Sequence, residues 1–109
     1  MAILIPIKDD PNHDFNIELE SKLYNFAFNY NDEFNYWAMN ISDDAGNILL
    51  AGYKLVANFY ILKPFNNVAL PKGELFVEVA ARNLDITRNV FKDGLAKLIY
   101  FTSDEVKAL

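Results

Sequence analysis

Apolar and polar side chains alternate along much of the chain, and this period of two predicts β-strands. In residues 15–19 (FNIEL) apolar residues alternate with Asn and Glu, and in residues 22–30 (KLYNFAFNY) four aromatic rings share one face. Residues 34–41 (FNYWAMNI) are apolar on both faces, which is typical of a strand that is covered on both sides. Turn-forming residues at 31–33 (NDE) and 42–47 (SDDAGN) separate these strands. The pattern therefore predicts consecutive antiparallel hairpins.

The second half of the chain continues the alternation less regularly. Its strands are predicted at residues 48–51, 53–62, 74–80 and 95–101. Gly52 is predicted to form a bulge between the first two, because glycine inside a strand often marks one. The tract between the last two strands has no clean period and is predicted as a long loop. Ser103 is predicted to cap a single helical turn at the end of the chain.

Short strands at regular spacing predict an all-β fold, a small antiparallel β-barrel or sandwich built from meander hairpins with at most one short helical turn. We expect a single β domain over residues 1–109, with an N-terminal arm and acidic loop at 1–14, the β domain itself at 15–105, and a tail at 106–109. The predicted core contains Phe26, Phe28, Tyr36, Met39, Leu55, Val77 and Ile99.

Composition narrows the classes of function. The 109 residues are 52% hydrophobic and 15% aromatic, so the chain is not a disordered segment. A net charge of −5 argues against a nucleic-acid partner, which requires a basic face. There is no cysteine and one histidine, which excludes thiolate metal sites and thiol catalysis. We therefore expect no enzymatic activity and no cofactor.

No targeting or membrane segment is expected. The apolar start of the chain is short and broken by Pro6, and it lacks the basic region that precedes the core of a signal peptide. No window approaches the roughly 20 apolar residues that span a bilayer. We expect synthesis in a cytoplasm and no membrane partner.

Three polar clusters have a chemical and a structural interpretation. Residues 9–14 (DDPNHD) combine carboxylates with His13 and could hold a divalent metal, but a solvated loop is favoured because no second histidine is present. Residues 43–47 (DDAGN) lack the closing glutamate of a calcium loop and are interpreted as a hairpin tip. Glu74 and Glu78 would lie roughly 13 Å apart on one strand face, too far for a catalytic pair. We interpret them as a charged strand edge.

Aromatic and asparagine residues leave further alternatives open. Trp37 with Phe34 and Tyr36 could form a stacking platform for a sugar, but filling the core is favoured because the alternation matches two buried faces. Several Asn residues fall on predicted strand faces, where Asn is intrinsically poor. They could bond to a neighbouring subunit or reflect an AT-rich genome. They are Asn16, Asn25, Asn29, Asn35 and Asn58.

The N-terminal segment is apolar on every face. In residues 2–7 (AILIPI), Pro6 cannot donate to a strand ladder, so the segment suits a sheet edge or an added strand. We predict that it contacts a neighbouring subunit, by strand addition or in an apolar groove. The alternative is a buried strand that closes the same domain. The predicted subunit-interface residues are Ile3, Leu4, Ile5 and Ile7.

A set of short segments, spread over about residues 15 to 105, resembles the small baseplate plug family of contractile-tailed bacteriophages. They are the strand ending in Tyr30-Asn31, the Trp37 strand, the hairpin around Gly46, Gly52, the step Pro71-x-Gly73-x-Leu75, and the closing Leu98-Ile99-Tyr100-x-Thr102 with Glu105. The chain departs from the family near Asn58, where Gly or Pro is frequent. The N-terminal MAILIPI lies outside the resemblance.

The resemblance implies a structural virion protein without enzymatic activity, located in the tail baseplate at the tip of the tail tube. It implies contacts with other baseplate and tail-tube proteins, and we expect a symmetric homo-oligomer within the virion. The alternative from another class is a carbohydrate- or receptor-binding β module that uses exposed aromatic residues, with Trp37 foremost.

Overall fold

The protein folds into two antiparallel sheets. The computed structural model describes residues 3–62, 65, 69–81 and 86–107. The elements are β1 (Ile3–Ile5), β2 (Asn12–Leu19), β3 (Lys22–Asn31), β4 (Tyr36–Asp43), β5 (Ile48–Lys54), β6 (Glu74–Val79), β7 (Ala96–Phe101) and α1 (Ser103–Lys107). The four-stranded sheet has the order β2-β3-β4-β5 and the three-stranded sheet the order β1-β7-β6. In these ranges the sheets do not close into a barrel, so the fold is all-β and sandwich-like.

The four-stranded sheet is the predicted meander of hairpins. β2 starts earlier than the pattern indicated, because Asn12 and His13 already pair with β3. The turn between β3 and β4 is closed by Asn31, whose Oδ1 accepts a bond of 3.0 Å from the Phe34 N–H. The turn between β4 and β5 is closed by Asp43, which accepts bonds from two backbone N–H groups of the tip. Side chains of Asn and Asp thus close the two turns, as the sequence predicted.

Gly52 forms the predicted bulge. Its φ of 64° lies in the left-handed region, and the pairing of β4 with β5 shifts register between Met39 and Ile41. The Asn40 side-chain oxygen accepts a bond from the Gly52 N–H. The strand predicted beyond the bulge is wrong for most of its length, because β5 ends at Lys54. The chain then bends away through Asn58, at a φ of 67°, and runs beside β6.

The three-stranded sheet joins the two ends of the chain. β7 lies in the middle, paired with β1 on one side and β6 on the other. The helix that follows β7 is capped by Thr102, and not by Ser103 as predicted. The Thr102 N–H donates to Glu105 Oε1 at 3.0 Å, and the Glu105 N–H donates to Thr102 Oγ1 at 3.4 Å. This reciprocal pair is a capping box. The Ser103 hydroxyl instead donates to Glu20.

Side chains from both sheets form one hydrophobic cluster. The predicted core residues Phe26, Phe28, Met39, Leu55 and Val77 are buried in it. The other two predictions, Tyr36 and Ile99, are wrong because both side chains are only partly buried. Each stands one position out of phase with the buried face of its strand. The buried positions are Trp37 in β4, and Leu98 and Tyr100 in β7.

Candidate assembly surface

The structure separates the N-terminal residues into two groups. Ile5 and Ile7 are 1% and 8% exposed and belong to the core, and Ile3 is partly buried against it. Leu4, in contrast, is 56% exposed. The segment therefore does alternate, and the sequence hid this because both faces are apolar. The predicted contact with a neighbouring subunit stays a prediction, and it now rests on Leu4.

Leu4 begins an apolar stripe that crosses the outer face of the three-stranded sheet. Leu4 is paired with Ile99, Ile99 with Phe76, and Phe76 with Tyr60 through an isolated bridge. Directly paired residues of adjacent strands point to the same face. The rings of Tyr60 and Phe76 are 5.4 Å apart, and Tyr60 is 40% exposed. We call Leu4, Ile99, Phe76 and Tyr60 the outer stripe.

The sequence predicted that Glu74 and Glu78 form a charged edge of β6, and this prediction is wrong for Glu74. Glu78 is exposed and lies opposite Lys97, beside the outer stripe. Glu74 is buried, and its Oε1 accepts bonds from the N–H groups of Leu62 and Leu75, at 2.5 and 2.9 Å. The carboxylate therefore holds the segment after Tyr60 against the start of β6.

Another polar group, centred on Glu20, joins the two sheets. Glu20, in the turn between β2 and β3, accepts bonds from the Tyr100 hydroxyl and from the hydroxyl and N–H of Ser103. The Tyr100 oxygen in turn accepts a bond of 2.8 Å from the Gly73 N–H. We call these four residues the Glu20 network. They join turns and a strand end that are far apart in the sequence.

The Glu20 network shifts the titration of its members. The bonds from Ser103 and Tyr100 stabilise the carboxylate and hold the pKa of Glu20 below its usual range. Burial, with the adjacent Glu20 carboxylate, raises the pKa of the Tyr100 hydroxyl well above its usual value. Glu20 is therefore an ionised acceptor and Tyr100 a neutral donor at ordinary pH.

The acidic segment at residues 9–14 is a loop only up to Pro11, because β2 begins at Asn12, and it does not bring its ligand groups together around one point. Asp9 pairs with Arg88 at 2.9 Å and with Lys92 at 3.4 Å. His13 lies with Nδ1 2.8 Å from the Asp10 carbonyl oxygen, and its Nε2 accepts from the Lys8 N–H at 3.2 Å. Among the described residues, no three His, Asp or Glu side chains are placed to hold a metal. This geometry fits the structural interpretation of the loop.

Trp37 is part of the core, as the sequence favoured, so it cannot serve as a sugar platform. It is 0% exposed, and its Nε1–H donates to the Thr87 carbonyl oxygen at 3.2 Å. The Arg88 guanidinium lies 5.5 Å from the Trp37 ring centre. Phe34 is exposed but lies in the preceding turn, and Tyr36 is partly covered by Lys54. The three rings therefore form no common surface.

An open cleft of about 570 Å³ lies beside Arg88 and is lined by Tyr30, Lys54, Ile86 and neighbouring residues. Its lining contains no His, Cys or carboxylate. The lining groups that can titrate or act as a nucleophile are Tyr30, Lys54 and Thr87.

Comparison with models of protein families matches residues 2–104 to the family described as cyanophage baseplate Pam3 plug gp18. The chain belongs to this baseplate plug family. Plug membership indicates a structural component of a phage tail baseplate and implies interaction with other baseplate components. The match also covers the N-terminal segment, which the resemblance had left out. A search of curated proteins finds no match.

Two of the segments that carry the resemblance to the plug family meet in the fold. Gly73 and Tyr100 belong to the Glu20 network, and Thr102 with Glu105 forms the capping box beside it. Sequence reasoning missed Glu20, since nothing in a turn sequence indicates a partner eighty positions away. It also missed the outer stripe: Phe76 alternates with the predicted core residue Val77, but Ile99 was itself assigned to the core. Within the described ranges, no helix is long and apolar enough to cross a membrane.

Proposed function

We propose that this protein acts purely through protein–protein contacts at the tip of a phage tail tube, where it joins other baseplate proteins and tail-tube proteins. The observation that carries the proposal is the family match over residues 2–104. Synthesis in the bacterial cytoplasm, followed by incorporation into the virion as a symmetric oligomer, completes the proposal.

The exposed apolar surface supports this function. The chain is short and acidic, and several of its elements expose large hydrophobic side chains. Single exposed hydrophobic residues are ordinary, whereas a continuous row of them marks an interaction site. The outer stripe is a continuous apolar row across neighbouring strands, with exposed Leu4 and Tyr60 at its ends and partly buried Ile99 and Phe76 between them. We therefore assign the outer stripe as a contact surface within the baseplate.

The test uses the phage that encodes the chain. With its gene deleted, we expect tails with a defective tip, and supply of the wild-type protein in trans should restore them. Leu4→Lys should reduce the amount of protein found in purified tails, because a charge at the end of the outer stripe must be desolvated in a contact. The matched control is Ile48→Lys, at a side chain that is 67% exposed and lies outside the stripe.

The readouts are quantitative mass spectrometry of purified tails and a density map of the tail tip. We expect density for the two-sheet fold at the end of the tube. Absence of the protein from intact virions would refute the proposed function. Equal incorporation of the two lysine variants would refute the assignment of the outer stripe while leaving the location intact.

A further inference from the structure

Positive charge is concentrated around the cleft beside Arg88, although the protein as a whole is acidic. The chain has 15 acidic and 10 basic residues, yet the lining of the cleft contains Lys54 and Arg88 and no carboxylate. Arg88 and the nearby Lys92 share a single carboxylate, that of Asp9. Among the described residues, no carboxylate pairs with Lys54. The cleft is therefore a positive site on an acidic protein.

Arg88 is held in place before any ligand arrives. Its guanidinium carbon lies 5.5 Å from the Trp37 ring centre and 6.0 Å from that of Tyr30. Its Nη1 lies 2.9 Å from Asp9 Oδ1, and the neighbouring Thr87 carbonyl accepts from the Trp37 indole. The Arg88 side chain is still 27% exposed. A ligand would therefore meet an arginine whose freedom has already been lost on folding, which lowers the entropic cost of binding.

The polar groups of the cleft are mainly hydrogen-bond donors without acceptors. A guanidinium carries five N–H donors, and within the described part of the chain Arg88 has one polar partner, Asp9. The Lys54 ammonium adds three more donors. Asn35 Oδ1 accepts from the Tyr30 hydroxyl at 3.4 Å, and its amide N–H groups have no partner among the same residues. An excess of donors around two cations indicates an anionic ligand with several acceptor oxygens.

The size and lining of the cleft favour a ligand larger than a single ion. Its volume of about 570 Å³ lies within the range of sites that hold molecules of several hundred daltons. The remaining wall is apolar and is formed by Leu55, Val56, Ala57 and Ile86. A ligand that fits would therefore carry its charge on one side and hydrocarbon on the other.

We propose that this cleft binds an acidic peptide segment of a partner protein, with a carboxylate against Arg88 and Lys54. The inference rests on the proposed function, since it names the chemistry of one contact that assembly would use. Arginine binds a carboxylate through two parallel N–H bonds, and the lysine adds a point charge. The net charge of −5 does not prevent this contact, because exposed charges more than about 10 Å away are screened by salt. A nucleic acid is disfavoured, because it would need a row of cations and not two.

A titration with a defined probe tests the proposal. The probe is a tetrapeptide with two glutamates and blocked ends, and its control is the same peptide with glutamine in both places. In nitrogen–proton correlation spectra of the labelled protein, the amide signals of Lys54, Thr87 and Arg88 should move and saturate with the glutamate peptide. A dissociation constant of about 1 mM is expected for so short a segment. Equal shifts with the glutamine peptide would overturn the proposal, because charge would then not be recognised.

Two lysine variants separate local from overall charge. Lys54→Gln should raise the dissociation constant about three- to fivefold, the value of one exposed charge pair. The matched control is Lys97→Gln, on β7 and opposite Glu78, which makes the same change in net charge away from the cleft. It should bind as the wild type does. Both side chains are exposed, so both variants should keep the wild-type melting temperature. Equal affinity of the two variants would overturn the proposal.

A third arm identifies the class of ligand. A short single-stranded DNA oligonucleotide should leave the signals of Lys54 and Arg88 in place. If the oligonucleotide moves these signals and the glutamate peptide does not, the cleft recognises phosphate and the proposal is wrong. It is equally wrong if the glutamate peptide causes no saturable shift up to about 20 mM, roughly twenty times the expected constant. None of these results bears on the baseplate function, which incorporation into tails tests separately.

Discussion

At the scale of single residues, four positions without glycine adopt a positive φ in the part of the chain that the structure describes. They are Glu20, Ser21, Asn35 and Asn58. Asn tolerates this conformation because its short side chain bonds locally. Asn35 and Asn58, which the sequence placed on strand faces, therefore occupy turn positions. Asn58 has a φ of 67°, a conformation that Asn tolerates better than most residues other than glycine.

Glu20 predicts a dependence of stability on pH. Its pKa is lowered in the fold by bonds from Ser103 and Tyr100. A lowered pKa adds stability above the unfolded-state pKa, and that stability is lost as the pH falls through the folded-state value. We expect the melting temperature of the wild type to fall more steeply below about pH 4.5 than that of Glu20→Gln. The comparison cancels the similar contributions of Asp43 and Glu105.

The control for Glu20 is Glu18→Gln, which removes a carboxylate from the exposed face of β2. It should keep the wild-type slope of melting temperature against pH. If the wild type and Glu20→Gln show parallel curves, the Glu20 network does not contribute to the acid sensitivity of the fold.

Gly73 should tolerate no side chain. A Cβ there would lie 1.9 Å from the Phe101 carbonyl oxygen and 2.7 Å from the Tyr100 hydroxyl oxygen. We expect Gly73→Ala to lower the free energy of unfolding by about 3 kcal/mol or more, because overpacking against backbone forces the strand ends apart. Denaturant unfolding measures the change.

Gly46→Ala is the matched control for this clash. Gly46 has a φ of 87° and no atom within 4 Å of the added Cβ, so only conformational strain of about 1–2 kcal/mol is expected. Gly73 is not among the glycines with a positive φ, so a loss no larger than that of Gly46→Ala would mean that the neighbouring atoms move and relieve the crowding.

At the scale of the elements, the sequence predicted the buried face more accurately for strands with one apolar face than for strands with two. In β2 and β3 the polar positions fix the orientation, and the predicted inner faces are correct. In β4 and β7 both faces are apolar, so Tyr36 and Ile99 were assigned to the core in place of their neighbours. Alternation identifies two faces of a strand, but burial of one of them is decided by the sheet that packs against it.

The central position of β3 makes Phe28 a sensitive test of the core. Its side chain is 0% exposed and packs against the rings of Phe26 and Phe15. We expect Phe28→Ala to cost about 3–5 kcal/mol, enough to unfold a domain of ordinary stability. Phe34→Ala, at a side chain that is 69% exposed, should leave the unfolding midpoint nearly unchanged. A similar loss in both variants would contradict the assigned core.

At the scale of the whole molecule, the N-terminal strand has two roles on its two faces. Ile5 and Ile7 fill the core from the end of the chain, so removal of residues 2–7 should destabilise the domain. Leu4 faces outward, so Leu4→Lys should leave the melting temperature within about 2 °C of the wild type.

Thermal unfolding followed by circular dichroism distinguishes the two variants. A truncated protein that keeps its melting temperature would show that β1 adds nothing to the fold. A large loss in Leu4→Lys would show that the Leu4 side chain is not free of the domain.

The sequence by itself determined the class of fold, the positions of the turns and the family. Each depends on short-range information: the period of two sets the strands, and Asn, Asp and Gly set the turns through their own side chains and backbone freedom. The tertiary structure decided the inner face of the doubly apolar strands, the burial of Glu74 and the joining of the sheets through Glu20. It also decided that Leu4 faces outward at the edge of a sheet. These features depend on which distant strands become neighbours, and local periodicity carries no information about that choice.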